Sequence, residues 1–332
     1  MNSKITWIGY YLPQNKITSS EIEHRISTTF TSMPHGIIKE MTWVESRYFV
    51  SEGEYASDLA TKAATIALKN SGIYKEEIEL LIFASASQDI IEPATANIIQ
   101  KNLGMSCPVF DVKNACNSFM NGLDIADSFI KCWKYKNILI CSGETPSKVI
   151  KFDVSTKDEF KNYFAGYTFG DAGSAIVLSK SEENDGILFR YFYSDGSDWD
   201  IATIMWGGAR FPHDDSKNYF AGNPGKIRDK FISIGSHDFD EGLKKLGWEK
   251  KDIKKVFVHQ VAMSNFEHLV DILWIPHDIF SIILPEFGNI ASCCIPTSFA
   301  KYCETNELQK WDKLVFIGFA SGFSYGVIYY EV

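Results

Sequence analysis

Cys116 is the residue of this sequence best suited to act as a nucleophile. It follows an apolar run that ends at Asp111-Val112, and it opens a segment, 116–130, whose apolar residues recur at helical spacing. This pattern predicts a strand, a tight turn and a helix with the cysteine in its first turn. The helix dipole and the unpaired amides at that end favour thiolate over thiol. The alternative is that Cys116 packs as a small apolar residue, as free cysteines usually do.

Three further polar sites follow comparable elements. His259 comes directly after the apolar run 256–258, which predicts an imidazole at the carboxyl end of a buried strand, where open α/β sheets usually keep their chemistry. Asn289 lies in a turn that Gly288 allows to bend, and segment 318–326 is a small-residue turn able to present a bare amide to a carbonyl oxygen. Each also has a structural explanation: a structural or solvated imidazole, an ordinary turn, and a hairpin.

The elements that must position these residues alternate along the chain. The spacing of apolar residues predicts helices over 55–71, 92–103, 116–130, 227–246, from about 264, and around 297–302. It predicts strands over 4–12, 78–84, 107–112, 137–141, within 170–178, and over 186–195, 256–258, 314–319 and 326–332. Such alternation indicates an α/β fold with a parallel or mixed sheet, and the second half repeats the order of the first. We therefore expect a duplicated strand-helix core.

Composition limits the class of protein. A chain of 332 residues with 45% hydrophobic content can bury a large core, and its formal charge of -9 argues against a broad nucleic-acid surface. The seven cysteines form neither CxxC pairs nor a Cys/His metal spacing, which indicates a reducing cytoplasm with no disulfide framework and no metal site. No signal peptide or membrane-spanning run is visible. We expect a soluble cytoplasmic protein whose partner is a small molecule or another protein, with no membrane and no nucleic acid involved.

Five ordered motifs run through nearly the whole chain: D-V-K-N-A-C at 111–116, F-G-D-A-G-S-A at 169–175, V-H-Q at 258–260, G-N-I-A-S at 288–292 and G-F-A-S-G-F-S-Y-G at 318–326. Together they resemble the thiolase superfamily and, within it, the beta-ketoacyl-acyl carrier protein synthase III branch. The resemblance implies a duplicated five-layered α-β-α-β-α fold, a homodimer, no cofactor, and a catalytic set of Cys116, His259 and Asn289. It also implies an N-terminal half, 1–175, that carries the cysteine, and a C-terminal half, 176–332, that carries the other two.

The chemistry that the resemblance implies is the condensation of acyl thioesters. Cys116 attacks the first thioester while the amides of Cys116 and Ser321 hold the oxyanion, and an acyl-enzyme results. His259 and Asn289 then donate hydrogen bonds to the carbonyl of the second thioester and stabilise an enolate-like carbanion, which attacks the acyl group. Asn289 favours this Claisen chemistry, because members that form esters or amides carry a different residue there.

One departure from the family pattern concerns the carrier of the acyl group. The branch grips coenzyme A with a W-I-x-x-R-T-G-I-x-x-R segment, and the matching stretch here is I-I-K-E-M-T-W-V-E-S-R at 37–47. Ile37 replaces the aromatic residue and Met41 the first arginine, whereas Arg47 remains. The change favours an acyl carrier protein over coenzyme A as the donor.

A second departure is Glu92, where the branch usually has a phenylalanine that reaches into the partner subunit's pocket. A glutamate there resembles the branch that condenses two fatty acyl thioesters head to head in olefin biosynthesis, and in that branch it is thought to act as a base across the dimer. The alternative is that Glu92 interacts with the dipole of the following helix.

The sequence thus predicts a ketosynthase III-like enzyme that forms an acyl-Cys116 intermediate and condenses it with a second acyl, malonyl or beta-ketoacyl thioester. The expected setting is fatty-acid-derived or polyketide specialised metabolism. Two alternatives remain: an acyltransferase that passes the acyl group to oxygen or nitrogen, and a non-catalytic subunit of a heterodimeric condensing complex. The intact set of Cys116, His259 and Asn289 counts against the latter.

Overall fold

The computed structural model describes residues 2–233 and 235–332. Its strands are β1 (Ser3–Tyr11), β2 (Asn15–Thr18), β3 (Ser46–Phe49), β4 (Leu80–Ala84), β5 (Val109–Val112), β6 (Asn137–Glu144), β7 (Ala172–Lys180), β8 (Gly186–Ser194), β9 (Ala202–Thr203), β10 (Ala221–Gly222), β11 (Ile253–Val258), β12 (Phe280–Ser281), β13 (Lys313–Ala320) and β14 (Ser324–Glu331). Its helices are α1 (Ser19–Ser27), α2 (Ile37–Thr42), α3 (Ala56–Ser71), α4 (Thr95–Leu103), α5 (Ser118–Lys131), α6 (Lys157–Tyr163), α7 (Pro224–Ile232), α8 (His237–Leu246), α9 (Met263–Leu273), α10 (Leu284–Phe287) and α11 (Cys294–Thr305).

Two five-stranded sheets in these residues have the same topology. The first has the order β1-β7-β6-β4-β5 and the second the order β8-β14-β13-β11-β12. In each sheet the first two pairs are antiparallel. The last two pairs are parallel. The predicted duplication of an α/β core is therefore confirmed.

The two sheets and three layers of helices stack in five layers. Helices α3 and α4 cover the outer face of the first sheet, α8 and α9 cover the outer face of the second, and α5 and α11 lie between the sheets. Alternate residues of each central strand face opposite layers: Leu80 and Ile82 of β4 belong to the central core, whereas Leu81 and Phe83 face α3. Because both faces are buried, the strand is apolar throughout. No helix in the described part of the chain is long and apolar enough to cross a membrane.

Helix α5 lies very close to the first sheet. A Cβ atom on Gly122 would lie 2.8 Å from Cβ of Ala84 and 3.0 Å from Cγ2 of Ile140, so a larger residue there would push the helix off the sheet. A buried carboxylate of α5 also holds the helix in place. Asp127 accepts a hydrogen bond of 2.8 Å from Ser3 on β1 and forms an ion pair with Arg190 on β8. The helix is therefore fixed to both halves of the molecule.

The helix predicted to begin at Glu92-Pro93 instead begins at Thr95. The amides of Thr95 and Ala96 each donate a hydrogen bond of 2.8 Å to the carboxylate of Asp111 on the neighbouring strand region. A side chain distant in sequence thus satisfies the first amides of α4, and the residues before Thr95 remain outside the helix.

Two other boundaries differ from the prediction. The helix expected over 227–246 is divided into α7 and α8, and Gly235 between them has a left-handed φ of 65°. The division between halves expected at residues 175 and 176 falls inside β7, which pairs with β1 and β6 and ends at Lys180. Since the second sheet begins at Gly186, we place the division in the connection 181–185.

Four tryptophans have a left-handed backbone: Trp43 (φ 65°), Trp133 (φ 59°), Trp274 (φ 53°) and Trp311 (φ 76°). Each is more than half exposed, at 54%, 72%, 83% and 56% respectively. Trp274 is the C-cap of α9. The C-caps of α3, α4 and α8 are glycines: Gly72, Gly104 and Gly247. A bulky residue in this conformation costs about 1–2 kcal/mol, which glycine avoids.

We expect Trp274→Gly to raise the free energy of unfolding by about 0.5–1 kcal/mol, because the relief of left-handed strain exceeds the entropy that glycine adds to the unfolded chain. Urea denaturation measures the change. Trp199→Gly is the matched control, since Trp199 is 48% exposed but has a right-handed backbone (φ -55°). A loss of stability in Trp274→Gly as large as that in the control would contradict the strain argument.

Candidate active site

Cys116 lies on a tight turn between β5 and α5. Ala115 has a left-handed φ of 46°, and the amides of Asn117 and Ser118 donate to the carbonyls of Asn114 (3.0 Å) and Ala115 (3.1 Å). Helix α5 begins at Ser118 with Asn117 as its N-cap, so Cys116 lies just before the first turn instead of within it. The strand, turn and helix that the sequence predicts are present.

Burial raises the pKa of the Cys116 thiol, and the charges of Glu144 and then Cys294 raise it further. Although Cys116 retains some exposed surface, its surroundings outweigh the favourable field at the start of α5. The resting form is therefore the neutral thiol, and the expectation of a resting thiolate is corrected. The thiol must lose its proton in the course of attack.

His259 directly follows β11, and its amide donates to the carbonyl of Ile317 at 3.0 Å, which extends the pairing of β11 with β13. Burial lowers the pKa of the imidazole to about 4, so His259 is neutral near pH 7. Its Nδ1 atom is buried and has no hydrogen-bond partner among the described residues. A neutral imidazole has one N–H donor and one acceptor, and it can therefore offer a hydrogen bond to a substrate oxygen.

Asn289 is held through both its backbone and its side chain. Its amide donates to Thr168 at 2.8 Å, its carbonyl accepts from Gly170 at 3.1 Å, and its Oδ1 accepts from the amide of Ala291 at 3.0 Å. With Oδ1 engaged, the side chain has its two Nδ2–H donors to offer to a ligand. Gly288 is required before it, because φ is 68° and a Cβ atom would lie 2.5 Å from the Thr168 carbonyl.

Cys294 joins the Cys116 and His259 segments. Its Sγ accepts from the amide of Gln260 at 3.4 Å and donates to the carbonyl of Val258 at 3.7 Å, which are the residues on either side of His259. Cys294 is also close enough to Cys116 to raise the pKa of that thiol. Cys116 and the His259 segment therefore lie in one neighbourhood.

Glu144 joins Cys116 to the Asn289 turn. This buried carboxylate accepts a short hydrogen bond from Oγ of Ser292, three residues after Asn289, and its charge raises the pKa of the Cys116 thiol. It also accepts bonds from the amides of Ala86 (2.7 Å) and Ser87 (3.1 Å) at the end of β4. These contacts bring the chain segments that carry Cys116, His259 and Asn289 into one neighbourhood.

Ser321 lies in the tight turn between β13 and β14, where Gly322 and Phe323 both have left-handed φ angles, 74° and 49°. The two strands of this hairpin lie against the start of α5. Nδ2 of Asn117 donates to Oγ of Ser324 at 3.5 Å, and a Cβ atom on Gly318 would lie 2.0 Å from Oδ1 of Asn117. The turn that carries Ser321 therefore neighbours the turn that carries Cys116.

Glu92 lies apart from this group. It is exposed, in the connection between β4 and α4, beside the exposed Ile90 and Ile91. Within the single chain no hydrogen bond or ion pair of the described residues links it to Cys116. The alternative role at the dipole of α4 is weakened, because Asp111 already accepts the amides at the start of that helix.

Sequence reasoning did not select Glu144, Ser292 or Gln260. Glu144 is the last residue of the apolar strand β6, and Gln260 comes two residues after the apolar strand β11. A polar residue at the end of a buried strand is the sequence signal that could have found them. Their partners are far away in sequence, so spacing alone reveals nothing of the contacts. Among the residues described, no three His, Cys, Asp or Glu side chains are grouped as metal ligands.

Two models of one protein family match this chain. The model described as "3-Oxoacyl-[acyl-carrier-protein (ACP)] synthase III" matches residues 110–196, and its "C terminal" counterpart matches residues 243–332. The chain is 31% identical over 330 residues to Beta-ketoacyl-[acyl-carrier-protein] synthase III of Clostridium perfringens (strain SM101), with 98% of each chain covered. It is 29% identical over 335 residues to the protein of the same name from Fusobacterium nucleatum, with 97% and 96% covered.

Several solved structures are also similar to this chain. A variant of OleA from Xanthomonas campestris superposes with a TM-score of 0.89 at 27% identity, covering 100% of this chain and 98% of that one. Another OleA structure, described with bound lauric acid and lauroyl-CoA, has a TM-score of 0.90 at 26% identity and covers 100% and 99%. The 3-oxoacyl-[acyl-carrier-protein] synthase III of Aquifex aeolicus has a TM-score of 0.86 at 25% identity and covers 99% and 100%.

We expect Glu144→Gln to lower the pKa of the Cys116 thiol, because it removes a negative charge that disfavours the thiolate. Alkylation of Cys116 by iodoacetamide at a fixed mildly alkaline pH should accelerate about 3- to 10-fold, since the thiolate fraction grows tenfold for each unit by which the pKa falls. Peptide mass spectrometry separates Cys116 from the other thiols. Glu182→Gln, at an exposed carboxylate, is the control. An unchanged or slower rate in a folded Glu144→Gln protein would refute this account.

Proposed function

We propose, since this chain belongs to the 3-oxoacyl-acyl-carrier-protein synthase III family of condensing enzymes, that its site catalyses a Claisen-type condensation of two acyl thioesters. The observation that carries the proposal is the arrangement at Asn289. The Ala291 amide fixes Oδ1, so the side chain keeps its N–H donors for a ligand, and His259 supplies a neutral, buried imidazole. Two neutral donors that converge on one carbonyl oxygen suit an enolate-like carbanion.

The first half-reaction is a thioester exchange at Cys116. Sulfur attacks the acyl carbonyl, and the amides of Cys116 and Ser321 hold the negative oxygen of the tetrahedral intermediate. Collapse breaks the bond to the carrier thiol, and that thiol departs with the proton that Cys116 has lost. No net proton is consumed, which suits a cysteine whose resting form is the neutral thiol.

The second half-reaction makes the carbon-carbon bond. His259 and Asn289 donate hydrogen bonds to the carbonyl oxygen of the second thioester and stabilise the carbanion at its α carbon. The carbanion attacks acyl-Cys116, and collapse of the adduct releases the cysteine and a beta-keto product. Loss of carbon dioxide from a malonyl group or removal of an α proton can supply the carbanion.

The donor is more consistent with an acyl carrier protein than with coenzyme A. Of the two arginines in the family's coenzyme A segment, this chain keeps only Arg47. Its side chain is fully buried and donates hydrogen bonds to Ser19 Oγ (3.0 Å) and the Tyr167 carbonyl (2.8 Å). It therefore supports the fold from inside and does not reach a nucleotide. On the exposed side of the same segment, Met41 is apolar and Lys39 pairs with Glu45 at 2.8 Å.

The site functions in a homodimer in this proposal. Strand β5 is an edge of the first sheet, and the nearby Ile90 and Ile91 are exposed apolar side chains, which a second copy would cover. Glu92 lies beside them and is free to enter the site of the partner subunit as the base that removes an α proton.

Intact-protein mass spectrometry with a panel of acyl-carrier-protein and acyl-coenzyme A thioesters tests the acyl-enzyme. We expect a mass gain equal to the acyl group in the wild type, faster with the carrier-protein donor, and no gain in Cys116→Ala. Cys132→Ala removes an exposed thiol outside the site and should acylate as the wild type does. A gain that persists in Cys116→Ala, or no gain with any donor, would overturn the nucleophile assignment.

Glu92→Gln tests the base. We expect it to form the acyl-enzyme and to condense a malonyl thioester at the wild-type rate, since decarboxylation supplies that carbanion. Condensation of a second, unactivated acyl thioester should fall about 10²- to 10⁴-fold, the usual contribution of a general base. Product chromatography measures both, and Glu76→Gln serves as the exposed control. Equal rates with the acyl thioester would remove Glu92 from the mechanism.

A further inference from the structure

We propose that Gln260 is a positioning residue that fixes His259 and Asn289 relative to each other, and that it thereby serves condensation and not acylation. The inference rests on the proposed function. It concerns a residue that the mechanism above does not use, although Gln260 directly follows His259 in the chain and is buried.

The side-chain amide group of Gln260 makes all of its hydrogen bonds to backbone groups. Nε2 donates to the carbonyls of Ser281 at 2.8 Å and Val258 at 3.3 Å. Oε1 accepts from the amides of Ile283 and Leu284, both at 3.0 Å. Both donors and both acceptor sites of the side chain are thus used, and all four partners lie in two segments.

The Oε1 bonds control where α10 begins. Ile283 is the N-cap of this single-turn helix and makes no side-chain cap of its own, so the first amides need an acceptor from elsewhere. The helix ends at Phe287, and Gly288 and Asn289 follow at once. Because α10 has only four residues, the position of its start bears directly on the position of the Asn289 turn.

The Nε2 bonds fix the other partner. Val258 is the last residue of β11 and immediately precedes His259, while Ser281 belongs to β12, the two-residue edge strand beside it. One planar amide therefore bonds the residue before His259 with one end and the start of the helix before Asn289 with the other.

The pairing of β11 with β12 joins the two segments as far as Phe257 and Ser281, and His259 and the start of α10 lie beyond the last paired residues. His259 bonds to Ile317 in the second sheet, whereas Asn289 bonds to Thr168 and Gly170, which precede β7 of the first sheet. Each of the two residues is thus attached to a different sheet, and Gln260 connects the segments that precede them. Two donors must converge on one oxygen for the carbanion to form, so their mutual geometry decides the rate of condensation.

Acylation depends on a different set of groups. Cys116 supplies the sulfur, and the amides of Cys116 and Ser321 hold the oxyanion; neither residue accepts or donates a bond to the Gln260 side chain. A change at Gln260 should therefore separate the two half-reactions. A residue needed only for general stability would affect both of them together.

The experiment measures single-turnover acylation by intact-protein mass spectrometry and condensation by product formation, in the wild type, Gln260→Met and Gln260→Glu. Methionine keeps the length of the side chain but removes all four bonds. Gln100→Met is the matched control, because Gln100 is half-buried and bonds the Cys107 carbonyl at 2.7 Å away from the site. His259→Ala and Asn289→Ala define the complete loss of condensation.

We expect Gln260→Met to acylate within about threefold of the wild-type rate and to condense about 100-fold more slowly, the loss typical of a misplaced catalytic group. Gln260→Glu should regain condensation as the pH falls, since a protonated carboxyl again offers one donor and one acceptor. Gln100→Met should leave both steps unchanged.

Three outcomes would overturn the inference: a parallel loss of both steps, unchanged condensation in a folded Gln260→Met, or a Gln260→Glu protein whose ratio of condensation to acylation does not change with pH. The last measurement decides the matter if Gln260→Met does not fold. A wild type that forms no acyl-enzyme refutes the proposed function instead, so the two failures are distinguishable.

Discussion

The burial of α5 between two sheets is the constraint on which the rest of this structure depends. Helix α5 packs apolar residues into the core between the two sheets, and it is held in addition by Asp127, which bonds Ser3 and Arg190 from different sheets. The first turn of this helix therefore lies between the two sheets. Cys116 is therefore placed at a point that the core itself determines, and the loops around it have little freedom to move it.

The same burial decides the charge state of the site. It raises the pKa of the Cys116 thiol and lowers that of His259 to about 4, so both groups are neutral where an exposed pair would be partly charged. Glu144 is a buried carboxylate that raises the pKa of the Cys116 thiol, and its oxygens are occupied by hydrogen bonds from Ala86, Ser87 and Ser292. A site of this kind offers directed neutral donors, whose value is greatest where water is excluded.

Sequence patterns predict the features that arise from local order. The α/β class and the duplication follow from strands such as β4, whose two faces are both buried, and the order of motifs around Cys116, His259 and Asn289 follows from the family resemblance. The patterns fail where distant residues decide the outcome. Asp111 sets the start of α4, and Glu144 contacts Ser292, which is 148 residues away. Burial by residues distant in sequence raises the pKa of the Cys116 thiol by more than the helix dipole lowers it.

The duplication extends to the turn that carries Cys116. In the first half Ala115 has a φ of 46° and α5 begins three residues later; in the second half Ala291 has a φ of 47° and α11 begins three residues later. Cys116 and Ser292 therefore occupy equivalent places at the starts of the two central helices. The first half has a cysteine sulfur at this place, and the second has a hydroxyl that donates to Glu144. Because Asn289 lies just before the second turn, the strained backbone at Ala291 also supplies the amide that orients its side chain. The same backbone conformation thus precedes Cys116 in one half, and in the other it orients the side chain of Asn289.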